Sequence, residues 1–181
     1  RFKGDSDPFN RWEAAQGLAR DILLAAQPVQ AMMDAFAAGL KACLEDERLE
    51  PAFKALMLGL PSESDLAQSM TPVDPAFLHA SRKRYPAFLS GRLKPVLLDA
   101  YHAVPTPNSF SPDGRDAGER ALRNALLDLI LAGYGEAGDK DELVGLAQEH
   151  VHLASNMTDM VGGLQALMHV LTGAGLDLRG N

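Results

Sequence analysis

The five histidines are the side chains best suited to bind a metal or to move protons, and their spacing limits what they can do together. A helical zinc site of the His-Glu-x-x-His type needs two imidazoles four residues apart, so that both project from one face while the glutamate activates bound water. No pair has that spacing among His79, His102, His150, His152 and His169. His150 and His152 are two residues apart, which on a helix directs them roughly 200° apart. The pattern therefore predicts no metal site in this chain.

Other catalytic patterns are also missing from the sequence. There is no Gly-x-Ser-x-Gly nucleophile turn and no Gly-rich phosphate loop of the Walker type. Gly133, Gly135 and Gly138 follow a predicted helix, so they indicate helix termination. The single cysteine, Cys43, falls on the apolar face of a predicted helix and suits a buried thiol in a reducing compartment, which favours a cytoplasmic location. We therefore predict no catalytic residue and no cofactor within this chain.

The charge of the chain excludes some partners. A net charge of -7 argues against a general nucleic-acid binder, because phosphate neutralisation needs a surplus of lysine and arginine. The one dense basic cluster, Arg82-Lys83-Arg84, reads first as a solvated helix end, with an anion site as the alternative. The longest apolar runs fall far short of the ~20 residues that cross a bilayer, so no membrane span is predicted.

Polar residues near helix starts are the remaining candidates. Arg120 and Arg123 lie in the strongest predicted helix, where ion pairs with Asp116, Glu119 or Asp128 are the simplest interpretation. Asn156 and Asp159 are typical of a helix start, because both favour the positive end of the helix dipole.

The elements that must position these residues are all helices. Helix starts are predicted at Asp7-Pro8, Pro28, Pro51, Ser62, Asp74-Pro75, about Asp116, Asp139 and Asn156, from prolines, capping residues and the apolar spacing that follows. A break or kink is expected before Pro86, and at Pro95 either a kink, which we prefer, or a division into two shorter helices. Residues 104–112 read as a loop. The fold class is all-α, an irregular, helical-repeat-like (superhelical) array of about eight to nine antiparallel helices, with no fixed-length repeat.

Three stretches in this order resemble the aminopeptidase N family of zinc metallopeptidases, in its bacterial form. They are Asp7-Pro8-Phe9-Asn10-Arg11-Trp12-Glu13-Ala14-Ala15-Gln16, Arg120-Ala121-Leu122-Arg123-Asn124 and Ala154-Ser155-Asn156-Met157-Thr158-Asp159. The resemblance implies that residues 1–6 end a linker from a preceding domain and that residues 7–181 form the first part of a C-terminal helical domain.

The same resemblance implies a non-catalytic role. The family's zinc motif, His-Glu-x-x-His with a downstream Glu, and its Gly-x-Met-Glu-Asn motif belong to an upstream catalytic domain, and neither occurs here. The chain would be a cap that packs on the upstream catalytic and β-sandwich domains and helps enclose the chamber through which peptide substrates reach the zinc. The parent is then an enzyme that removes N-terminal residues from peptides, and the chain alone is expected to be inactive. Candidate interface or chamber-lining residues are Asn10, Arg11, Arg120, Arg123, Asn124, Asn156 and Asp159.

Two alternatives stay open at this point. A stand-alone helical scaffold could bind a protein or peptide on a concave face. An enzyme with its own site is less well supported, because no nucleophile, base and orienting group can be assembled from the sequence. Residues 176–181 show no finishing helix, so the last helices are expected to leave apolar surface uncovered and the isolated chain to self-associate.

Overall fold

The computed structural model describes residues 7–106 and 110–173, and within these two ranges all regular structure is helical. The predicted linker at 1–6, the middle of the predicted loop and the terminal segment 174–181 lie outside the described residues. The helices are α1 (Pro8–Leu24), α2 (Gln30–Glu45), α3 (Pro51–Leu58), α4 (Glu63–Ala67), α5 (Pro75–Ala103), α6 (Gly114–Ala132), α7 (Lys140–Leu153) and α8 (Met157–Gly173), with a short 3-10 helix at Tyr134–Glu136. The predicted all-α class and helix number are confirmed.

Local capping explains several helix starts. Asp7 accepts a hydrogen bond from the Phe9 amide at 2.8 Å and Asp74 accepts one from the Phe77 amide at 3.0 Å, which pairs otherwise unsatisfied first-turn donors. Ser62 begins α4 with a complete capping box. Two starts lie two residues from their predicted positions: α2 begins at Gln30 rather than Pro28, and α6 begins at Gly114, with Asp113 as its cap.

The predicted side-chain cap at Asp139 is wrong. Its side chain makes no capping hydrogen bond to α7 and instead forms an ion pair with Lys94 of α5. The Lys94 ammonium, as hydrogen-bond donor, holds the pKa of Asp139 below its ordinary value. A cation on a neighbouring helix has therefore taken the carboxylate that local sequence assigns to the helix end.

The longest helix, α5, runs without interruption through both Pro86 and Pro95. A break at Pro86, or two short helices meeting at Pro95, is therefore wrong. Each proline removes one backbone hydrogen bond and costs ~3 kcal/mol in a helix interior. The buried side chains of α5, which include Tyr85, Leu89 and Leu97, outweigh that cost by packing into the core.

The core is built around α6, which packs against α3, α5 and α8. Its apolar positions are almost fully buried, as expected for a helix covered on several sides: Leu122, Leu126, Leu127, Leu129, Ile130 and Leu131. Helices α7 and α8 also pack closely against each other. The crossing of α5, α6, α7 and α8 is where most of the predicted polar candidates meet.

Candidate functional site

A chain of polar side chains, buried at Tyr101 and His150 and half-buried beyond them, joins four helices. The Tyr101 hydroxyl of α5 lies 2.9 Å from Nδ1 of His150 on α7, and the other ring nitrogen, Nε2, lies 2.8 Å from Oδ1 of Asn124 on α6. Asn124 in turn donates from Nδ2 to Oδ1 of Asp159 on α8, at 3.2 Å. Asn156 completes the chain by donating from Nδ2 to the second Asp159 oxygen at 2.7 Å. We call these five residues the polar junction.

The polar junction has a defined arrangement of protons. The Asn124 amide group donates to a carboxylate, so its oxygen faces His150 and must accept from Nε2. Nδ1 is then the acceptor in a neutral imidazole, and it accepts a hydrogen bond from the Tyr101 hydroxyl. Burial lowers the pKa of His150, and the positive charge of Arg123 lowers it further, while Asp159 acts in the opposite direction. The arrangement therefore satisfies a neutral histidine, which is only 3% exposed.

Arg123 borders the junction at Tyr101. Its guanidinium lies 5.1 Å from the centre of the Tyr101 ring, a cation–π contact. Burial raises the pKa of the Tyr101 hydroxyl, and the Arg123 charge partly offsets that rise. The buried Nε of Arg123 has no hydrogen-bond partner in the described part of the chain. The ion pairs predicted from sequence for Arg120 and Arg123 do not form among the described residues.

Two adjacent glycines let α8 approach the junction closely. A Cβ at Gly162 would lie 2.6 Å from Cγ of Asn124, and one at Gly163 would lie 2.6 Å from Cγ2 of Val151 and 3.1 Å from the His150 ring. The two distances of 2.6 Å are too short for a Cβ, so these glycines set the spacing of α6, α7 and α8. A Gly-Gly pair inside an apolar helical pattern was the sequence signal for this approach.

The structure brings together some predicted site residues and separates others. Asn124, Asn156 and Asp159 lie in one hydrogen-bonded chain, with Arg123 beside it. Tyr101 and His150 belong to the same chain, and sequence reasoning had not assigned them to it.

The remaining three candidates have other neighbours. Arg120, 8% exposed, donates to the Ser111 carbonyl at 2.7 Å and lies 4.9 Å from the centre of the Phe110 ring. Arg11 belongs to the first turns of α1, and its buried Nε lacks a partner among described residues. Asn10 is exposed. These three therefore form no common site with the junction.

The residues present do not fit a zinc site. Among the described residues, no group of three or more His, Cys, Asp or Glu side chains is placed to hold a metal ion. His150 is buried while His152 is exposed, as their spacing predicts. Burial raises the pKa of Cys43, the largest influence on it, which keeps that thiol protonated and unreactive. The searched residues also contain no helix long and apolar enough to cross a membrane.

These features define a helical-repeat domain stiffened by a partly buried polar network. The chain belongs to the family described as Domain of unknown function (DUF3458_C) ARM repeats, whose model matches residues 2–176. It is 41% identical over 92% of its length to aminopeptidase N of Caulobacter vibrioides and 32% identical over 87% to aminopeptidase N of Escherichia coli. The predicted similarity to the C-terminal helical domain of aminopeptidase N is thereby confirmed.

The matches also give the scale of the chain and its fold. It spans 19% of the Caulobacter protein and 18% of the Escherichia coli protein. A solved structure, that of Legionella pneumophila aminopeptidase A in complex with aspartic acid, superimposes with a TM-score of 0.74. The sequences are 20% identical, and the match covers 97% of this chain and 21% of that one. The helical arrangement is therefore shared beyond close sequence similarity.

Proposed function

We propose that this chain is a non-catalytic helical cap of a zinc-dependent aminopeptidase N that removes N-terminal residues from peptides. The observation that carries the proposal is the match to aminopeptidase N over nearly the whole chain but less than a fifth of the relative's length. A cap is consistent with the absence of a metal-binding group among the described residues. Its role is to help enclose a chamber that admits short peptides and excludes folded proteins, while metal-activated hydrolysis takes place elsewhere.

The polar junction is consistent with a chamber wall that keeps a fixed shape. A hydrogen-bonded network that is partly buried favours one packing arrangement over alternatives, because a displaced buried partner is left as an unsatisfied polar group. The partners we propose are upstream catalytic and β-sandwich domains of the same polypeptide, with peptides as substrates of the whole enzyme and a cytoplasmic location. Asn10, Arg11 and Arg120 are proposed interface or chamber-lining residues that lie outside the junction.

An unpartnered surface on α8 is consistent with further domain contacts. Its outward apolar side chains, together with the last residue of α7, are exposed among the described residues: Leu153, Met157, Met160, Val161 and Leu164. Several apolar side chains on one helix mark an interaction surface, since most soluble proteins avoid such patches. We name this set the α8 face and propose that other segments of the parent polypeptide cover it.

The proposal is tested by hydrolysis of alanyl and leucyl chromogenic amides with added zinc. The 181-residue chain and the product of its complete gene are assayed side by side. Activity only in the complete product supports the cap. Activity in neither favours the stand-alone scaffold, and zinc-dependent activity in the short chain would show that a catalytic site lies within it.

A further inference from the structure

A second site lies away from the polar junction, in a cleft of about 750 Å³. Its walls come from the first half of α5, the end of α6 with the following 3-10 helix, and the last turns of α8. Clefts of roughly 300–1,000 Å³ are the usual size for small-molecule sites. The position of this cleft between three elements gives it depth that a single helix surface lacks.

Part of the cleft lining is apolar. It includes Pro86, Ala87 and Phe88 of α5 together with Met168 of α8. The Phe88 ring stacks against Tyr85, with centroids 6.2 Å apart and planes inclined by 10°. Since Tyr85 is itself buried, Phe88 is held in a fixed position, which suits contact with an apolar ligand.

The lining also contains the only three consecutive basic residues of the chain. Arg82, Lys83 and Arg84 all line the cleft, and none of them forms an ion pair within 4.0 Å among the described residues. Two carboxylates also line it. Glu63 is engaged by His79, with 3.2 Å between Oε1 and Nδ1, while Glu136 lies on the 3-10 helix. The three cations outnumber these carboxylates in a protein whose net charge is -7.

The cleft walls are fixed by a tight contact between α5 and the end of α6. Ser90 donates from Oγ to the Ile130 carbonyl at 2.7 Å. A Cβ at Gly133 would lie 2.5 Å from that Oγ, so a glycine is required there. The same backbone then turns into the 3-10 helix that forms one end of the cleft. The space is therefore built by packed elements rather than by a loop.

We infer that this cleft binds a small anion with an apolar body, such as an alkyl or aryl carboxylate or phosphate. The anionic group contacts the basic part of the lining, and the apolar body lies against Phe88 and Met168. Arginine suits carboxylate and phosphate oxygens because its planar donors match their geometry. This inference does not rest on the proposed cap function.

The test is isothermal titration of the complete gene product with hexanoate and with hexyl phosphate. Hexanol and hexylammonium are the matched controls, because they keep the alkyl body and remove or reverse the charge. Both anions are expected to bind about tenfold more tightly than hexanol, with affinity falling as salt is raised. Their ratio tells which head group the site prefers. Equal binding of hexanol or hexylammonium, or no saturation by about 10 mM anion, overturns the inference.

Variants locate the binding. The triple substitution Arg82→Gln, Lys83→Gln and Arg84→Gln is expected to abolish the preference for anions. A control triple, Arg20→Gln, Lys41→Gln and Arg115→Gln, removes the same charge from residues that do not line the cleft and should retain the preference.

A second variant keeps the test valid if the first triple fails to fold. Met168→Glu places a carboxylate in the apolar part of the cleft lining, at a position that is already exposed. It should weaken the binding of both anions about tenfold. Unchanged anion binding in Met168→Glu, or equal losses in the two triples, would contradict the site.

Discussion

The Tyr101 hydroxyl donates to Nδ1 of His150 over 2.9 Å and so connects α5 to α7 inside the protein. The two residues are 49 positions apart in the sequence, and both are buried. Because the second imidazole nitrogen is engaged by Asn124, the histidine is held as one neutral tautomer. Stability, pH response and helix spacing at this crossing all depend on that arrangement.

Tyr101→Phe should destabilise the fold. The substitution leaves the buried Nδ1 of His150 without its donor, which costs about 1–3 kcal/mol in the free energy of unfolding. Tyr85→Phe is the matched control, because the buried Tyr85 hydroxyl has no hydrogen-bond partner among the described residues. That change should be neutral or stabilising. Denaturant unfolding measures both, and equal losses in the two variants would show that the hydrogen bond to His150 adds no stability.

Stability should fall as the solution is acidified below neutrality. The folded protein lowers the pKa of His150, so the neutral form is favoured in the fold and its contribution is complete above the unfolded value of about 6.5. That contribution is lost as pH falls through 6.5 towards the lower folded pKa, because protonated Nδ1 would oppose the Tyr101 donor. The facing groups are Tyr101 of α5, Arg123 and Asn124 of α6, and Asp159 of α8.

The measurement compares the free energy of unfolding at pH 8 and pH 5.5. His150→Gln should be less stable at pH 8 and should lose part of the pH dependence. His152→Gln, at an exposed position of the same helix, should behave like the parent chain. An identical slope in the parent and His150→Gln would rule out His150 as its source.

Gly162→Ala should separate α8 from α6. The added methyl carbon would lie 2.6 Å from Cγ of Asn124, so the hydrogen bonds from Asn124 to His150 and Asp159 must shift. We expect a loss of about 1–3 kcal/mol in the free energy of unfolding. Gly145→Ala in α7 is the control, because a Cβ there meets nothing within 4 Å. It should stabilise the protein by about 0.5–1 kcal/mol, and thermal unfolding of the pair tests the contrast.

Pro95→Ala should stabilise the protein. Pro95 is exposed inside the continuous helix α5, and alanine restores the amide that can bond to the Gly91 carbonyl. Greater freedom of the unfolded chain offsets about 0.4–1 kcal/mol of the gain. A net increase of about 2 kcal/mol in the free energy of unfolding is expected from these opposing effects. A decrease would mean that α5 needs the proline for its path across the core.

The α8 face should make the isolated chain self-associate. Leu164→Ser removes a half-exposed apolar side chain from that face and should shift sedimentation towards the monomer with little change in unfolding. Leu56→Ser is the control, since Leu56 is similarly exposed on α3. A stable monomer of the parent chain at all concentrations would contradict this expectation.

Local sequence determined the helix class and several helix ends. Asp7 with Phe9, Asp74 with Phe77, and Ser62 with Asp65 are partners within three residues, so their hydrogen bonds form wherever the helix begins. The apolar spacing of α6 likewise predicted its buried face. Such features need no knowledge of what packs against them.

Tertiary structure decided the rest. Asp139 binds Lys94 rather than capping α7, and α5 stays intact through two prolines, because interactions with distant elements outweigh local preference. Asn124 reaches His150 across 26 positions and Asp159 across 35, separations over which sequence spacing carries no geometry. The prediction that Asn156 and Asp159 begin a helix was therefore available from sequence, whereas their place in one hydrogen-bonded network with Tyr101 depended on how four helices cross.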